Sequence, residues 1–234
     1  MKQTTLTVTE NTRLADGIYR LRLAGDTSAI TAPGQFVNLK LSGFFLRRPI
    51  SVCDWENGEL TLIYKVLGHG TEAMTGMAPG TELDVLTGLG NRAAFVRETQ
   101  ETKQSAAPFG YIMVDVNDLK KVNDTLGHPK GDALINRVAQ CLQRAAAEKG
   151  NCYRIGGDEF VVSLNGSREA LLACADRIRE EIAAADAGSE FPVSAALGLA
   201  WSEDQPDPIP AQVFRQADDA MYADKKRMKA SREA

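Results

Sequence analysis

The chain has 234 residues, of which 44% are hydrophobic and 25% charged. These proportions are ordinary for a globular protein, and the length suits one large domain or two small ones. The net charge of −4 gives no indication of nucleic-acid or membrane binding, so an anionic substrate would need a local cluster of cations or a metal.

The first part of the chain has short alternating apolar runs broken by turn residues. These runs predict strands over Thr5–Thr9, Tyr19–Leu23, Gln35–Leu41 and Leu60–Val66. Asn57-Gly58, just before the last run, is a strong hairpin signal. Closely spaced strands with little helix predict a small antiparallel β-barrel or sandwich over residues 1–86.

From Asn91 onward, helices alternate with strands. The apolar periodicity predicts helices over Ala93–Lys103, Gly131–Ala147, Arg168–Ala185 and Ala211–Lys229. It predicts strands over Tyr111–Val114, Tyr153–Ile155, Phe160–Leu164 and Val193–Trp201. Because two of these strands meet in a tight hairpin, the predicted fold is α/β (α+β), a mixed sheet with flanking helices.

Acidic residues follow or join the predicted strands of this second part. Asp115 follows an apolar strand, and Asp158 and Glu159 lie at the tip of a glycine-flanked hairpin. An isolated Asp after a strand is more often a helix N-cap, and an isolated Gly-Gly-Asp is more often a tight turn. If the strands are neighbours, three carboxylates converge, which is costly without a cation, and oxygen ligands favour Mg²⁺ or Mn²⁺.

Four ordered motifs together resemble a known family. They are Asp84-x-Leu86-Thr87-Gly88-Leu89-x-Asn91-Arg92, the segment from Asp115 to Leu134, the hairpin Tyr153–Phe160, and Ala217-Asp218-x-Ala220-Met221-Tyr222-x-x-Lys225. Residues 84–233 thereby resemble the GGDEF family of diguanylate cyclase domains. The resemblance implies a fold like that of nucleotide cyclases and polymerase palms, and condensation of two GTP into cyclic di-GMP plus pyrophosphate.

The resemblance also implies roles for individual positions. Asp158 and Glu159 would be catalytic, and the metal ligands would be Asp115, the Val116 carbonyl, Asp158 and Glu159. The GTP-binding positions would be Lys120, Asn123, His128, Asp132, Gly156, Gly157, Lys225 and Lys229. Among these, Asn123 and Asp132 would bind the guanine edge, and the lysines the phosphates.

The implied reaction is phosphoryl transfer, in which the 3′-oxygen of one GTP attacks the α-phosphorus of another and pyrophosphate leaves. Asp158 is the candidate for assisting deprotonation of that 3′-hydroxyl. Each domain would hold one GTP, so catalysis requires a homodimer.

The chain departs from the family pattern at three places. Leu119 stands where Phe is common, and Lys229 replaces an Arg, keeping the charge but losing the bidentate fork. The product-inhibition motif R-x-x-D is replaced by Ala147-Glu148-Lys149-Gly150, so that feedback site is expected to be missing.

The first part resembles a second family. Pro33–Val37, Arg47–Val52 and Lys65–Thr71 are similar to the flavin-binding barrel of the electron-transfer subunit of NAD-linked dihydroorotate dehydrogenase. The resemblance implies an FAD site at Arg48, Pro49, Ser51, Gly70 and Thr71. Each of these short patterns is also common in solvated strand edges and turns. The family's nicotinamide-binding domain and cysteine-rich iron–sulfur segment are not found, so no electron path from NADH is expected.

The join of the two parts, Leu83–Arg92, satisfies the end pattern of the flavin barrel and the opening pattern of the cyclase at once. Either two units recombined at a shared stretch, or the chain is a chimera.

Three readings of function follow. The first is a diguanylate cyclase with a sensory or positioning barrel, and the second is a catalytically silent GTP-binding GGDEF signalling module. The third is a flavin-binding electron-transfer fragment with an inert appendage. The intact acidic and guanine-binding set favours the first.

The surroundings in which the protein works can also be inferred from its sequence. Four separated cysteines and two histidines disfavour a zinc or iron–sulfur site and favour free thiols in a reducing compartment. No apolar run approaches the length of about 18 residues that spans a bilayer. We therefore expect a cytoplasmic protein that binds neither membrane nor nucleic acid.

Overall fold

The computed structural model describes residues 3–30, 33–44, 47–104, 107–147 and 149–233. The chain divides into two compact units, Met1–Ala94 and Phe95–Ala234. Within the described ranges, no helix is long and apolar enough to cross a membrane.

The first unit is a closed antiparallel barrel. Its strands are β1 (Gln3–Ala15), β2 (Ile18–Gly25), β3 (Gln35–Lys40), β4 (Arg48–Glu56), β5 (Glu59–Lys65) and β6 (Glu82–Asn91), with a short helix α1 (His69–Met74). The pairing runs β1–β2–β5–β4–β3–β6, and β6 closes the barrel by pairing with β1. The predicted barrel is therefore confirmed, and its closure removes the exposed strand edges that an open sheet would have.

Local sequence explains how the barrel strands are connected and filled. Asn57 and Gly58 both have positive φ, 50° and 79°, which is the geometry of the two-residue hairpin turn that this dipeptide favours. The inward-facing residues form one apolar core, whose most buried members include Leu6, Leu21, Leu23, Leu39, Leu60 and Leu62. Burial of these leucines is the main stabilising contribution to the barrel.

Strand β6 contains the stretch that satisfies two sequence patterns. It pairs with β1 from Gln3↔Leu86 to Thr7↔Glu82 and with β3 through Lys40↔Asp84. Arg47 Nη2 donates to Asp84 Oδ2 at 2.7 Å, and this hydrogen bond holds the pKa of the Asp84 carboxyl below its usual range. The strand was not predicted, because Gly88 and Gly90 interrupt its alternation.

The second unit is a four-stranded sheet with helices packed on it. The strands are β7 (Phe109–Val116), β8 (Gly150–Arg154), β9 (Glu159–Asn165) and β10 (Ala195–Trp201). The helices are α2 (Arg92–Gln104), α3 (Leu119–Leu126), α4 (His128–Ala146), α5 (Arg168–Asp186) and α6 (Pro210–Glu233), and Ser202–Asp204 is a short 3₁₀ helix. The division between the two units falls inside α2.

The four strands lie in the order β8–β9–β7–β10, and every pairing is antiparallel. β7 and β8 run parallel to each other, but β9 lies between them, so they do not pair. Among the described strands of this unit the sheet is therefore purely antiparallel rather than mixed. The element order β–α–β–β–α–β is that of the split βαβ arrangement. The predicted α/β (α+β) class with flanking helices is confirmed, while α3 is an additional element that the apolar periodicity did not indicate.

Close contact between α6 and the sheet depends on Gly198 in β10. A Cβ at this position would lie 2.6 Å from the Cα of Met221, so only glycine lets the α6 backbone approach this closely. Met221 and Ala217 of α6 are buried. This packing fixes the position of the α6 residues that follow, including Lys225.

Candidate nucleotide and metal site

The C-terminal end of β7 and the turn before β9 meet at one edge of the sheet. Asp115 and Glu159 are directly opposite in the antiparallel register, and Val116 N donates to the carbonyl of Asp158 at 3.0 Å. The predicted neighbourhood of these acidic residues is therefore present. The turn Ile155–Asp158 is further closed by hydrogen bonds from the amides of Ile155 and Gly156 to the Glu159 carbonyl, at 2.9 and 3.3 Å.

Asp115 is buried, with 6% of its surface exposed. It does not cap the helix that follows, because the N-cap of α3 is Asp118, whose φ is 59°. Instead Asp115 Oδ1 accepts a hydrogen bond from Lys225 Nζ at 2.6 Å. Burial raises the pKa of the Asp115 carboxyl and the charges of Asp158 and Asp218 raise it further, whereas Lys225 lowers it. A buried carboxylate with this cationic partner is a strong candidate for a functional group.

The expected convergence of three carboxylates is not found. Among the described residues there is no cluster of three or more His, Cys, Asp or Glu side chains with metal-binding geometry. The Glu159 side chain lies against its own turn, where a Cβ on Gly156 would be 3.2 Å from the Glu159 Cβ. The residues that remain, Asp115, Asp158 and the Val116 carbonyl, fit Mg²⁺, which is usually held by one or two carboxylates together with phosphate oxygens of the substrate.

The candidate guanine-binding residues lie where α3 meets α4. Gly127, with φ of 84°, separates the two helices. A Cβ on Gly131 would lie 2.8 Å from Asn123 Cγ, so the absence of a side chain at Gly131 makes room for the Asn123 amide. Asp132 follows on α4 and is exposed. The end of α3 thus carries an amide and the start of α4 a carboxylate. The amide can donate and accept hydrogen bonds and the carboxylate can accept them, which suits the donors and acceptors of a purine edge.

A residue to which the sequence motifs gave no role interacts both with the acidic turn and with Asp132, a candidate guanine-binding residue. Arg154, half-buried at the end of β8, donates from Nη2 to the Gly157 carbonyl at 2.7 Å. Burial lowers the pKa of its guanidinium, and the nearby carboxylates of Asp132 and Asp158 oppose that shift. The sequence signal for this residue is an arginine two positions before Gly156-Gly157-Asp158.

The remaining predicted substrate-binding residues lie on the surface. Lys120, His128 and Lys229 are exposed, as is Gly157, and Lys225 is half-buried. The expected absence of a product-inhibition motif involves Glu148, which is outside the described residues, so this expectation stays a prediction. Asn117, also not predicted, is buried and donates to Ser194 Oγ at 3.3 Å, which ties the loop after β7 to the start of β10.

In the first unit, the predicted flavin-contacting residues lie on β4 and at the start of α1. Arg48 packs on Gly70, where a Cβ would lie 2.6 Å from Arg48 Nη2, and its guanidinium stacks over Phe44. Thr71 Oγ1 accepts from the Leu67 amide at 2.9 Å. The Ser51 hydroxyl accepts from Asn91 Nδ2 at 2.9 Å, and Pro49 is exposed.

Residues 81–231 match the family model described as "Diguanylate cyclase, GGDEF domain". Diguanylate cyclase DosC of Escherichia coli is 32% identical over 154 residues, which are 62% of this chain and 33% of DosC. The chain thus spans about a third of the length of that relative. The GGDEF domain of DgcB from Caulobacter crescentus, solved in complex with c-di-GMP, superposes with a TM-score of 0.53 at 28% identity. The superposition covers 59% of this chain and 86% of that one.

A different protein also matches, over a stretch that includes the N-terminal part. The electron transfer subunit of dihydroorotate dehydrogenase B (NAD(+)) from Bacillus velezensis is 33% identical over 187 residues, which are 77% of this chain and 71% of that subunit. The same subunit from Listeria innocua is 40% identical over 94 residues, 38% of this chain and 37% of that subunit.

Proposed function

The chain belongs to the GGDEF family, with a barrel related to the dihydroorotate dehydrogenase electron-transfer subunit in front of it, and from this premise we propose that it is a diguanylate cyclase. Its second unit condenses two GTP molecules into cyclic di-GMP and pyrophosphate. The observation that carries the proposal is the junction of Asp115, Val116 and Asp158, where the Val116 amide holds the Asp158 carbonyl at 3.0 Å.

In this proposal the two helices after β7 bind the base. Asn123 and Asp132 take the guanine edge, and the contact of Asn123 with Gly131 fixes the amide in place. Because a site that pairs the polar groups of guanine leaves its own groups unpaired with other bases, GTP is selected over ATP. Lys120, Lys225 and Lys229 hold the phosphates, with His128 in the same segment and Gly156 and Gly157 giving the phosphates close access to the backbone.

The acidic residues carry the chemistry. Asp115, the Val116 carbonyl and Asp158 would hold Mg²⁺ or Mn²⁺, with Glu159 adjacent, and such an ion would neutralise charge on the phosphates. Asp158 accepts the proton of the 3′-hydroxyl as its oxygen approaches the α-phosphorus of the second GTP. A carboxylate held at the position of the reacting hydroxyl acts as a general base in this way.

A dimer is part of the proposal, since each unit holds one GTP and product requires two. Incubation with GTP and Mg²⁺ should give cyclic di-GMP, and the rate should fall more steeply than linearly as the protein is diluted. GTP binding without any product would favour the silent signalling module, and neither binding nor product would refute both assignments.

A flavin on the barrel is a second proposal, supported by the relatives and by the contact of Arg48 with Gly70. Arg48 stacks over Phe44 and lies against Gly70 near the start of α1, where a guanidinium suits the phosphates of FAD. Absorption of the purified protein in the blue region, lost in Arg48→Met, would support FAD binding. A colourless protein that stays colourless after incubation with FAD would refute it.

A further inference from the structure

Arg154 closes the tip of the hairpin that carries Asp158. Its Nη2 donates to the Gly157 carbonyl at 2.7 Å, across a turn in which the amides of Ile155 and Gly156 donate to the Glu159 carbonyl. Gly157 has no side chain and is exposed, so its carbonyl is oriented by the arginine. The backbone one residue before Asp158 is thereby tied to the end of β8.

The same guanidinium lies in the field of two carboxylates from different elements. Asp132, on α4, and Asp158, in the turn, both interact with it electrostatically. A half-buried arginine is desolvated at a cost, which these two charges and the carbonyl offset. Arginine suits this position because its planar group presents several donors in fixed directions, whereas lysine presents a single flexible ammonium.

We propose that Arg154 is a positioning residue for the cyclase reaction: it sets the hairpin tip, and with it Asp158, relative to Asp132 on α4. The inference rests on the proposed function, in which Asp132 binds guanine and Asp158 acts on the 3′-hydroxyl. Arg154 then aligns the bound base with the reacting end of the nucleotide. It touches neither reacting atom and acts only through the backbone and the two carboxylates.

This role predicts a larger effect on turnover than on binding. A displacement of about 1 Å at a reacting group can cost about 100-fold in rate, whereas the guanine contacts of Asn123 stay intact. For Arg154→Met, we expect turnover at saturating GTP to fall at least about 30-fold while KM rises less than about fivefold. Arg154→Lys keeps the charge beside Asp132 but not the fork, so its KM should be near that of the wild type and its turnover should be intermediate.

The experiment compares Arg154→Met, Arg154→Lys and the matched control Arg179→Met, an exposed α5 arginine paired only with Asp176 among the ion pairs of the described residues. The first measurement is hydrogen–deuterium exchange of the amides of residues 155–159 in the nucleotide-free full chain. Exchange should rise at least about tenfold in Arg154→Met and stay unchanged in Arg179→Met. Turnover, KM and binding of 3′-deoxy-GTP, which cannot condense, complete the set.

Unchanged exchange at the turn, or turnover within twofold of the control, would overturn the inference. Equal losses in turnover and in 3′-deoxy-GTP affinity would also overturn it, because they would indicate a binding role. If Arg154→Met does not fold, Arg154→Lys alone decides by the same criteria. Failure of the wild-type chain to make cyclic di-GMP would refute the proposed function instead, and the exchange result would still decide whether Arg154 fixes the turn.

Discussion

Lys225 Nζ lies 2.6 Å from Asp115 Oδ1, so the buried carboxylate proposed as a metal ligand already has a cation from α6 beside it. A lysine and a divalent ion cannot both take that oxygen at full strength, since their charges repel at short distance. In the proposed mechanism, Lys225 neutralises Asp115 until substrate arrives, and the phosphates of GTP would then attract both the lysine and the metal.

Lys225→Met should strengthen Mn²⁺ binding to the nucleotide-free protein by about three- to tenfold, because it removes the competing charge from Asp115. Formation of cyclic di-GMP should fall in the same variant, since a phosphate contact is lost. Mn²⁺ titration followed by electron paramagnetic resonance measures the first effect. Lys226→Met, which removes a lysine stacked on Tyr222 at 4.4 Å, is the control, and equal Mn²⁺ affinities in all three proteins would show that Lys225 does not compete.

Asp158→Asn should abolish cyclic di-GMP formation, by about 100-fold or more, because the amide neither accepts the hydroxyl proton nor neutralises a metal. The hydrogen bond from Val116 N uses the Asp158 backbone carbonyl, so the fold should be retained. Product can be quantified by chromatography, and the unfolding transition can be followed by circular dichroism. Asp176→Asn, at an exposed α5 position, should behave as wild type, and wild-type rates in Asp158→Asn would show that the assignment is wrong.

Gly131→Ala should destabilise the protein although alanine is the better helix former by about 1 kcal/mol. The new methyl would lie 2.8 Å from Asn123 Cγ and must displace that side chain, with a net cost of about 1–3 kcal/mol. GTP affinity should drop in parallel, because the displaced amide is the proposed guanine contact. Denaturant unfolding and GTP titration measure the two effects.

Gly76→Ala is the matched control for this change, since among the described residues its Cβ would meet only Ala73 O, at 3.9 Å. If the Gly131→Ala protein had normal stability and normal GTP affinity, the proposed contact of Asn123 with guanine would be wrong.

Glu98 on α2 gives a prediction about pH. Burial raises the pKa of its carboxyl above the ordinary value of 4.5, against the hydrogen bonds from Ser163 and Asn151, and Tyr153 Oη also donates to it. The folded protein thus binds this proton more tightly than the unfolded chain. The protonated Glu98 carboxyl therefore makes its whole contribution to the free energy of unfolding below about pH 4.5. This contribution is lost as pH rises through the folded-state pKa.

Glu98→Gln should therefore exceed the wild type in free energy of unfolding at about pH 7.5, by about 1 kcal/mol or less. The difference should shrink toward about pH 4.5, where the wild-type carboxyl is protonated. Urea unfolding at the two pH values tests this, with the exposed α5 residue Glu180 as a Glu→Gln control. A gap that widens on acidification would reverse the sign assigned to Glu98.

Much of the fold follows from local sequence patterns. The Asn57-Gly58 turn and the alternation of Leu60–Val66 identify a hairpin, and the apolar stripe of α4 identifies a helix, because each is a property of neighbouring residues. Strand order is not local. The insertion of β9 between β7 and β8 depends on contacts between distant segments, so the antiparallel pairing throughout the second sheet could not be read from periodicity.

The candidate site shows the same division. Motifs identified Asp115, Asn123, Asp132 and Asp158, which the fold brings to one edge of the second unit. The Lys225–Asp115 pair and the direction of the Glu159 side chain depend on rotamers and on the packing of α6, and no spacing rule contains that information. Arg154 was not predicted, because no spacing pattern indicates a hydrogen bond to a backbone carbonyl.

Strand β6 limits how this protein can be cut and how it can evolve. Residues 84–91, the opening of the GGDEF pattern, are hydrogen-bonded to β1 and β3, and Arg47 holds Asp84. An expression fragment that starts at Glu82 lacks β1 and β3, the barrel strands that pair with this segment. A substitution there must be compatible with barrel closure as well as with the cyclase pattern, so we expect this segment to diverge slowly. We also expect the smallest fragment that folds like the cyclase unit of the full chain to include the barrel.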